Sequence, residues 1–208
     1  MLKIVSAPNN VLSEKAKEVS KIDKNILYLI EEMKVTLDNT HDPEGIGLAA
    51  PQVGKNLQIF IVKPTRKSKT QVFINPQIEA RGDLTGRAPD NAQSVVPKAH
   101  LGQALAGGKE EAGPRANESG STKLEGCLSL PNIWGEVIRE PQVVISYLDE
   151  HKKHHKKNFK GFIATIIQHE HDHLQGTLFP KRVLEQKGKL YKSSKNKKGE
   201  DEFEEIEI

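Results

Sequence analysis

The feature that most constrains this chain is His169-Glu170-His171-Asp172-His173, an H-E-x-x-H array inside a largely apolar run. Two histidines four residues apart meet at one ion when the backbone between them is helical, because position i+4 returns to the face of position i. The flanking pattern agrees: residues 162–174 have helical periodicity ending near Gly176, and Phe162, Ile166, His169 and His173 fall on one face at spacings of four, three and four. Apolar residues and candidate ligands share one stripe. Glu170 sits beside that stripe, within reach of a metal-bound water without being a ligand, as a general base must be. The plain alternative is an ordinary core face with polar ends.

The rest of the chain surrounds this helix with short elements. Asp23 reads as an N-cap, and Ile26, Leu29, Ile30, Met33 and Leu37 recur at helical spacing, which predicts an N-terminal amphipathic helix to about Asn39. In EGIGLAAPQVG, residues 44–54, two glycines flank Ile46 and Pro51 blocks a helix, predicting a loop or edge segment whose backbone can approach a ligand. Residues 57–62, 72–75 and 142–149 read as strands, the first two joined as a hairpin. Residues 151–157 read as a charged connection, with His151, His154 and His155 solvated, before a weaker strand at 158–160. The expected class is α+β: short antiparallel sheets packed around a central metal-binding HExxH helix, with the amphipathic helix at the N-terminus.

Two stretches fall outside this pattern. Residues 84–122 form a low-complexity insert rich in Gly, Ala, Pro, Asn, Ser and charge, read as disordered or as a lid. After Pro180 the chain is basic to Lys198 and acidic from Glu200 to Glu207. Opposite charges favour a hairpin of 189–195 with 202–208, at about 0.2 to 1 kcal/mol per cross-strand pair. The expected organisation is one catalytic domain, 1–180, interrupted by the insert, and a charged tail, 181–208.

Composition excludes several classes. A formal charge of +3 over 208 residues does not suit bulk DNA binding. No apolar run approaches the roughly 18 to 20 residues that cross a bilayer, and the opening MLKIVSAPNN lacks a signal peptide's apolar centre, so a cytoplasmic protein is expected. Cys127 is the only cysteine, which rules out an internal disulfide.

The third ligand is expected upstream of the helix. A metzincin continues to a histidine where Phe179 stands, and a thermolysin-like glutamate has only Glu185, in a short polar stretch, to draw on. Upstream, Cys127 is framed by Gly126 and Pro131, which suit an irregular segment. A thiolate and two imidazoles leave a tetrahedral ion one open position.

Three segments in this order, GIGLAAPQ at 45–52, EGCLSLP at 125–131 and QHEHDHLQG at 168–176, resemble the peptide deformylase family. The resemblance spans most of residues 1–180 apart from the insert. It implies removal of the formyl group from the N-terminal formylmethionine of newly synthesised polypeptides, releasing formate. Under it, hydroxide on a metal held by Cys127, His169 and His173 attacks the formyl carbon while Glu170 takes the proton and returns it to the leaving amine. It further implies oxyanion donors at the Gln52 side chain and the Leu128 backbone N–H, a methionine pocket to which Ile46 contributes, and pairing of an extended peptide with the backbone of Gly45, Ile46 and Gly47. The helix stripe adds Phe162 and Ile166 as the pocket's apolar wall, or as plain core. By ligand type the ion is zinc, ferrous iron, cobalt or nickel; the resemblance favours Fe2+, with Zn2+ as a substitute.

Two rival readings remain: a zinc peptidase cutting unmodified peptides, and a noncatalytic module docking on the ribosome through residues 152–157 or the basic stretch before Lys198. In a weaker form, the same basic segments bring the enzyme to nascent chains.

Overall fold

The computed structural model describes residues 1–41, 45–81, 122–196 and 201–207. The insert expected at 84–122 lies outside the described residues except for its last one.

Helix α1 (Lys24–Asp38) starts where Asp23 accepts hydrogen bonds from the Asn25 and Ile26 N–H groups, leaving few orphan donors in its first turn. Strands β1 (Gly47–Ala49), β2 (Ile59–Val62) and β3 (Gln71–Arg81) follow, with a 3-10 turn (Ala50–Val53) after β1 that ends on Gly54 at φ 75°. Next come β4 (Thr122–Cys127), β5 (Leu130–Ile138), β6 (Gln142–Leu148) and β7 (His154–Lys160). Helices α2 (Phe162–Leu174) and α3 (Phe179–Glu185) precede β8 (Leu190–Lys195) and β9 (Asp201–Ile206).

The strands form two antiparallel sheets, ordered β1-β2-β3-β6-β7 and β4-β5-β8-β9. Strand β2 explains how the first is packed. All four of its residues are buried, as in a strand covered on both faces. Ile59 and Ile61 join Leu29, Ile30, Met33 and Leu37 of α1, whereas Phe60 and Val62 join Ala164, Ile166 and Ile167 of α2. The sheet is thus clamped between the two helices, and α2 lies against its β1–β2 edge. A third cluster, Cys127, Val137, Phe179, Val183 and Leu190, binds α3 to the second sheet.

Several expectations need correction. Strand β7 begins at His154, not at 158: its polar residues pair by backbone along the whole of β6, from Leu148↔His154 to Gln142↔Lys160. His155 is therefore not simply solvated; it stacks on Tyr147 and its Nε2 lies 2.7 Å from Asp149. Strand β3 runs on through Pro76 to Arg81, with irregular register after Ile74 where Asn75 adopts φ 49°. Cys127 ends a strand, although the register shift between Gly126 and Cys127 does make the local backbone irregular. The charged C-terminal stretch is built into the second sheet: β8 pairs with β5 from Gly135↔Leu190 to Ile133↔Lys192, and β9 pairs with β8 from Leu190↔Ile206 to Lys195↔Asp201. Its turn and last residue lie outside the described residues. Among the described residues, no helix is long and apolar enough to cross a membrane.

Candidate metal centre

The end of β4 and the face of α2 bring Cys127, His169 and His173 together, their ligand atoms all within 4.8 Å of one another. The Cys127 Sγ lies 3.2 Å from His173 Nε2. Burial alone would raise the Cys127 thiol, but His173 and His169 beside it bring it down to about 5, so sulfur is a thiolate at neutral pH. Burial disfavours a charged His169, yet the hydrogen bonds that its ring donates to Cys127 and Glu125 hold it well above its ordinary value. Such a cluster demands a positive charge at its centre. One thiolate and two imidazoles at this spacing fit a single divalent ion.

A buried ionic chain orients these ligands. The His169 Nδ1 is 3.0 Å from Glu125 Oε2, which leaves Nε2 for an ion. Arg139 grips both Glu125 oxygens, at 2.8 and 2.9 Å, and reaches Asp172 Oδ2 at 2.6 Å. Arg182 closes the chain on Asp172 with contacts of 2.8 and 3.0 Å. Burial pushes both carboxyls up, but the guanidiniums, aided at Glu125 by His169, hold Glu125 and Asp172 at about 2. None of these roles has a local sequence signal. They come from residues far apart in the chain, and the burial of three charges, with Arg182 half-buried beside them, exposes them.

Glu170 is buried against β1, and its Oε2 has no hydrogen-bond partner. Burial pushes its carboxyl up to about 7. A β-carbon at Gly47 would lie 2.8 Å from the Glu170 Cδ, so any side chain there would have to displace the Glu170 carboxylate. Gln52, in the 3-10 turn, accepts the Ala49 N–H at 2.8 Å through Oε1, which turns its Nε2 towards Cys127 Sγ, 3.5 Å away. The N-terminal segment ties both motifs down, with Val5 N–H donating to Gln52 and Ala7 N–H to Ser129.

A cleft of about 50 Å³ opens on these groups, and Gly45, Ile46, Gly47, Gln52, Leu128 and Ile166 are all in its lining. Phe162 is not in that lining. It starts α2 and is 38% exposed, because the helix stripe continues one turn beyond the end of the cleft. The missing wall is Trp134, which the sequence reading did not single out. Glu185 points away from the site and pairs with Arg182 at 3.0 Å, so it supplies no ligand.

The family model for Polypeptide deformylase matches residues 1–189. The peptide deformylase of Borreliella burgdorferi is 32% identical over 199 residues, spanning 95% of this chain and 98% of its own. That of Christiangramia forsetii is 32% identical over 193 residues, 93% of this chain and 87% of the relative. Among solved structures, a peptide deformylase from Synechococcus elongatus in complex with actinonin superposes with a TM-score of 0.65 at 32% identity, covering 87% of this chain and 78% of that one. With the match running over both halves of the site, the chain belongs to the polypeptide deformylase family.

Proposed function

We propose that this protein removes the formyl group from the N-terminal formylmethionine of newly synthesised polypeptides, with Glu170 as the proton carrier. The observation that carries the reading is a buried carboxyl with a free oxygen, raised to about 7, beside a three-donor cluster at the end of a cleft. A divalent ion bound by Cys127, His169 and His173 supplies Lewis acidity and acidifies water at the cleft. Glu170 accepts a proton from the attacking water and returns it to the departing amine, so the formyl C–N bond breaks with formate and a free N-terminus as products. Burial raises this carboxyl above its ordinary value, which brings taking and giving a proton closer to balance than for an exposed glutamate.

The Gln52 amide and the Leu128 backbone N–H are assigned to the developing oxyanion. Gln52 suits this because the Ala49 N–H fixes its carbonyl end and so aims its NH2 end into the site. Ile46, Ile166 and Leu128 offer apolar surface for the methionine, and β1, the edge strand of its sheet, together with the two residues before it offers the backbone of Gly45, Ile46 and Gly47 to an extended peptide. Ferrous iron is the ion favoured by the family resemblance, with zinc as substitute. A buried thiolate ligand also suits the reducing cytoplasm.

Recruitment to the ribosome is assigned to residues 152–157. The basic stretch of β8 is a weaker candidate, since Lys189 and Lys195 are paired with Glu205 and Asp201 of β9 at 2.7 and 2.8 Å. Cosedimentation with ribosomes that persists after Lys152, Lys153 and Lys157 are replaced by Glu sinks that assignment.

The decisive experiment measures formate release from a formyl-Met peptide by metal-loaded protein, with the unmodified peptide as control. Formate from the first and no cleavage of the second is expected. Cleavage of the unmodified peptide with no formate release would instead make the protein a metal peptidase.

A further inference from the structure

Trp134, the only tryptophan in the chain, stands between two clefts. One is the catalytic cleft. The other, of about 150 Å³, shares Gly126, Cys127 and Trp134 with it and is otherwise walled by the tip of β5 and by Ser193, Lys195 and Asp201 of the C-terminal hairpin. The indole is thus the partition.

Its position is set from both sides. Trp134 faces Gly126 across the β4–β5 ladder, and a β-carbon at 126 would lie 3.0 Å from the ring, so the indole covers a bare stretch of backbone next to Cys127. On its other side the indole Nε1 donates to Ser193 Oγ at 3.1 Å. Phe203 meets the ring edge-on, with centroids 5.9 Å apart and planes at 78°. Ser193 and Phe203 are themselves cross-strand partners in β8 and β9. Both lie beyond residue 189, where the family match ends.

We propose that the C-terminal hairpin positions Trp134, through Ser193 and Phe203, as a specificity-determining wall of the catalytic cleft. This rests on the deformylase reading above. Ser193 and Phe203 are positioning residues, and Trp134 is the group that meets the substrate's side chain. A ring held by one hydrogen bond and one edge contact presents a fixed apolar face that rejects a side chain bulkier than methionine. Once released, it can swing towards the second cleft and admit one.

The test compares formate release from formyl-Met-Ala-Ser and formyl-Phe-Ala-Ser by wild type, Ser193→Ala, Phe203→Ala and Ser193→Thr. The ratio of kcat/KM for the two substrates, taken on one preparation, is independent of the fraction of active enzyme, so loss of stability alone does not move it. Expected is a fall in the Met-over-Phe ratio of about two- to tenfold in both alanine variants, the range spanned by a lost hydrogen bond or aromatic contact. KM for the methionine substrate should rise while kcat changes little. Ser193→Thr, which keeps the hydroxyl, should restore the ratio, and emission of the lone tryptophan should shift to the red in the alanine variants only.

Should an alanine variant fail to fold, Trp134→Phe keeps a ring without the Nε1 donor and is expected to lower the ratio as Ser193→Ala does. Unchanged ratios in all soluble variants overturn the proposal, whatever happens to thermal stability. Absence of formate from wild type with either substrate overturns the deformylase reading itself.

Discussion

The Glu170 carboxylate occupies the space in which a side chain at position 47 would begin. A β-carbon there would lie 2.8 Å from Glu170 Cδ and 2.9 Å from Cγ, so the glycine in the β1 edge and the carboxylate on α2 are one device. Gly47→Ala should therefore push Glu170 out of place without touching the three ligand residues. Turnover is expected to fall at least tenfold, with metal content and the circular dichroism spectrum unchanged, because misplacing a general base forfeits part of the 10²–10⁴ that such a group contributes. Full activity in this variant would show that Glu170 has room to work elsewhere.

Replacing the carboxylate itself separates proton carrier from ligand. Glu170→Ala should retain the ion and lose turnover by about 10²–10⁴. Cys127→Ala and His173→Ala should lose the ion, because two remaining donors do not hold it against water. Metal analysis beside formate release decides the matter: loss of metal from Glu170→Ala would make it a ligand and overturn its role.

How much of this was legible depended on whether a feature was local. The helices α1 and α2 follow from apolar spacing, and the His169–His173 pair follows from the helical repeat, so both could be read residue by residue. Cys127 needed one step more, since a lone cysteine gains meaning only from the absence of a ligand at Phe179 and the presence of two at α2. Strand β7 could not be read from periodicity: an edge strand of His, Lys and Asn is held by backbone pairing to β6. Phe162 falls outside the cleft lining, since a helical stripe says which residues share a face but not where the cleft beside that face ends. Trp134 and the Glu125–Arg139–Asp172–Arg182 chain carry no spacing signal at all. They depend on strand register and on contacts made in the folded chain.

Glu125 acts on the site through His169. The hydrogen bond of 3.0 Å to Nδ1 fixes the ring and its tautomer. Glu125→Gln keeps the shape but not the charge, and an amide can present its NH2 end to the imidazole. Metal affinity is expected to weaken about 10- to 100-fold, the usual consequence of losing a carboxylate behind a ligating histidine. Competition with a chelator measures it; an unchanged affinity would mean that burial alone orients His169.

The same ionic chain predicts acid sensitivity. Glu125 and Asp172 titrate near 2 in the folded protein against about 4 when unfolded. A depressed folded value stabilises the native state above the unfolded one and is lost as pH falls through the folded one. The contribution of these two carboxyls to the stability of metal-free protein should thus be lost as pH falls below about 5, with the steepest change between about 4 and 2. Arg139, which contacts both carboxylates, tests the cause. Arg139→Met should be destabilised by about 3–5 kcal/mol near neutrality, because it leaves two buried carboxylates short of a partner. Its carboxyl values rise towards or past the unfolded ones, so its loss of stability on acidification should be shallower than that of wild type. Urea midpoints at pH 6, 4 and 3 for both proteins provide the measurement. Parallel pH dependences would place the acid-sensitive charges outside this chain of residues.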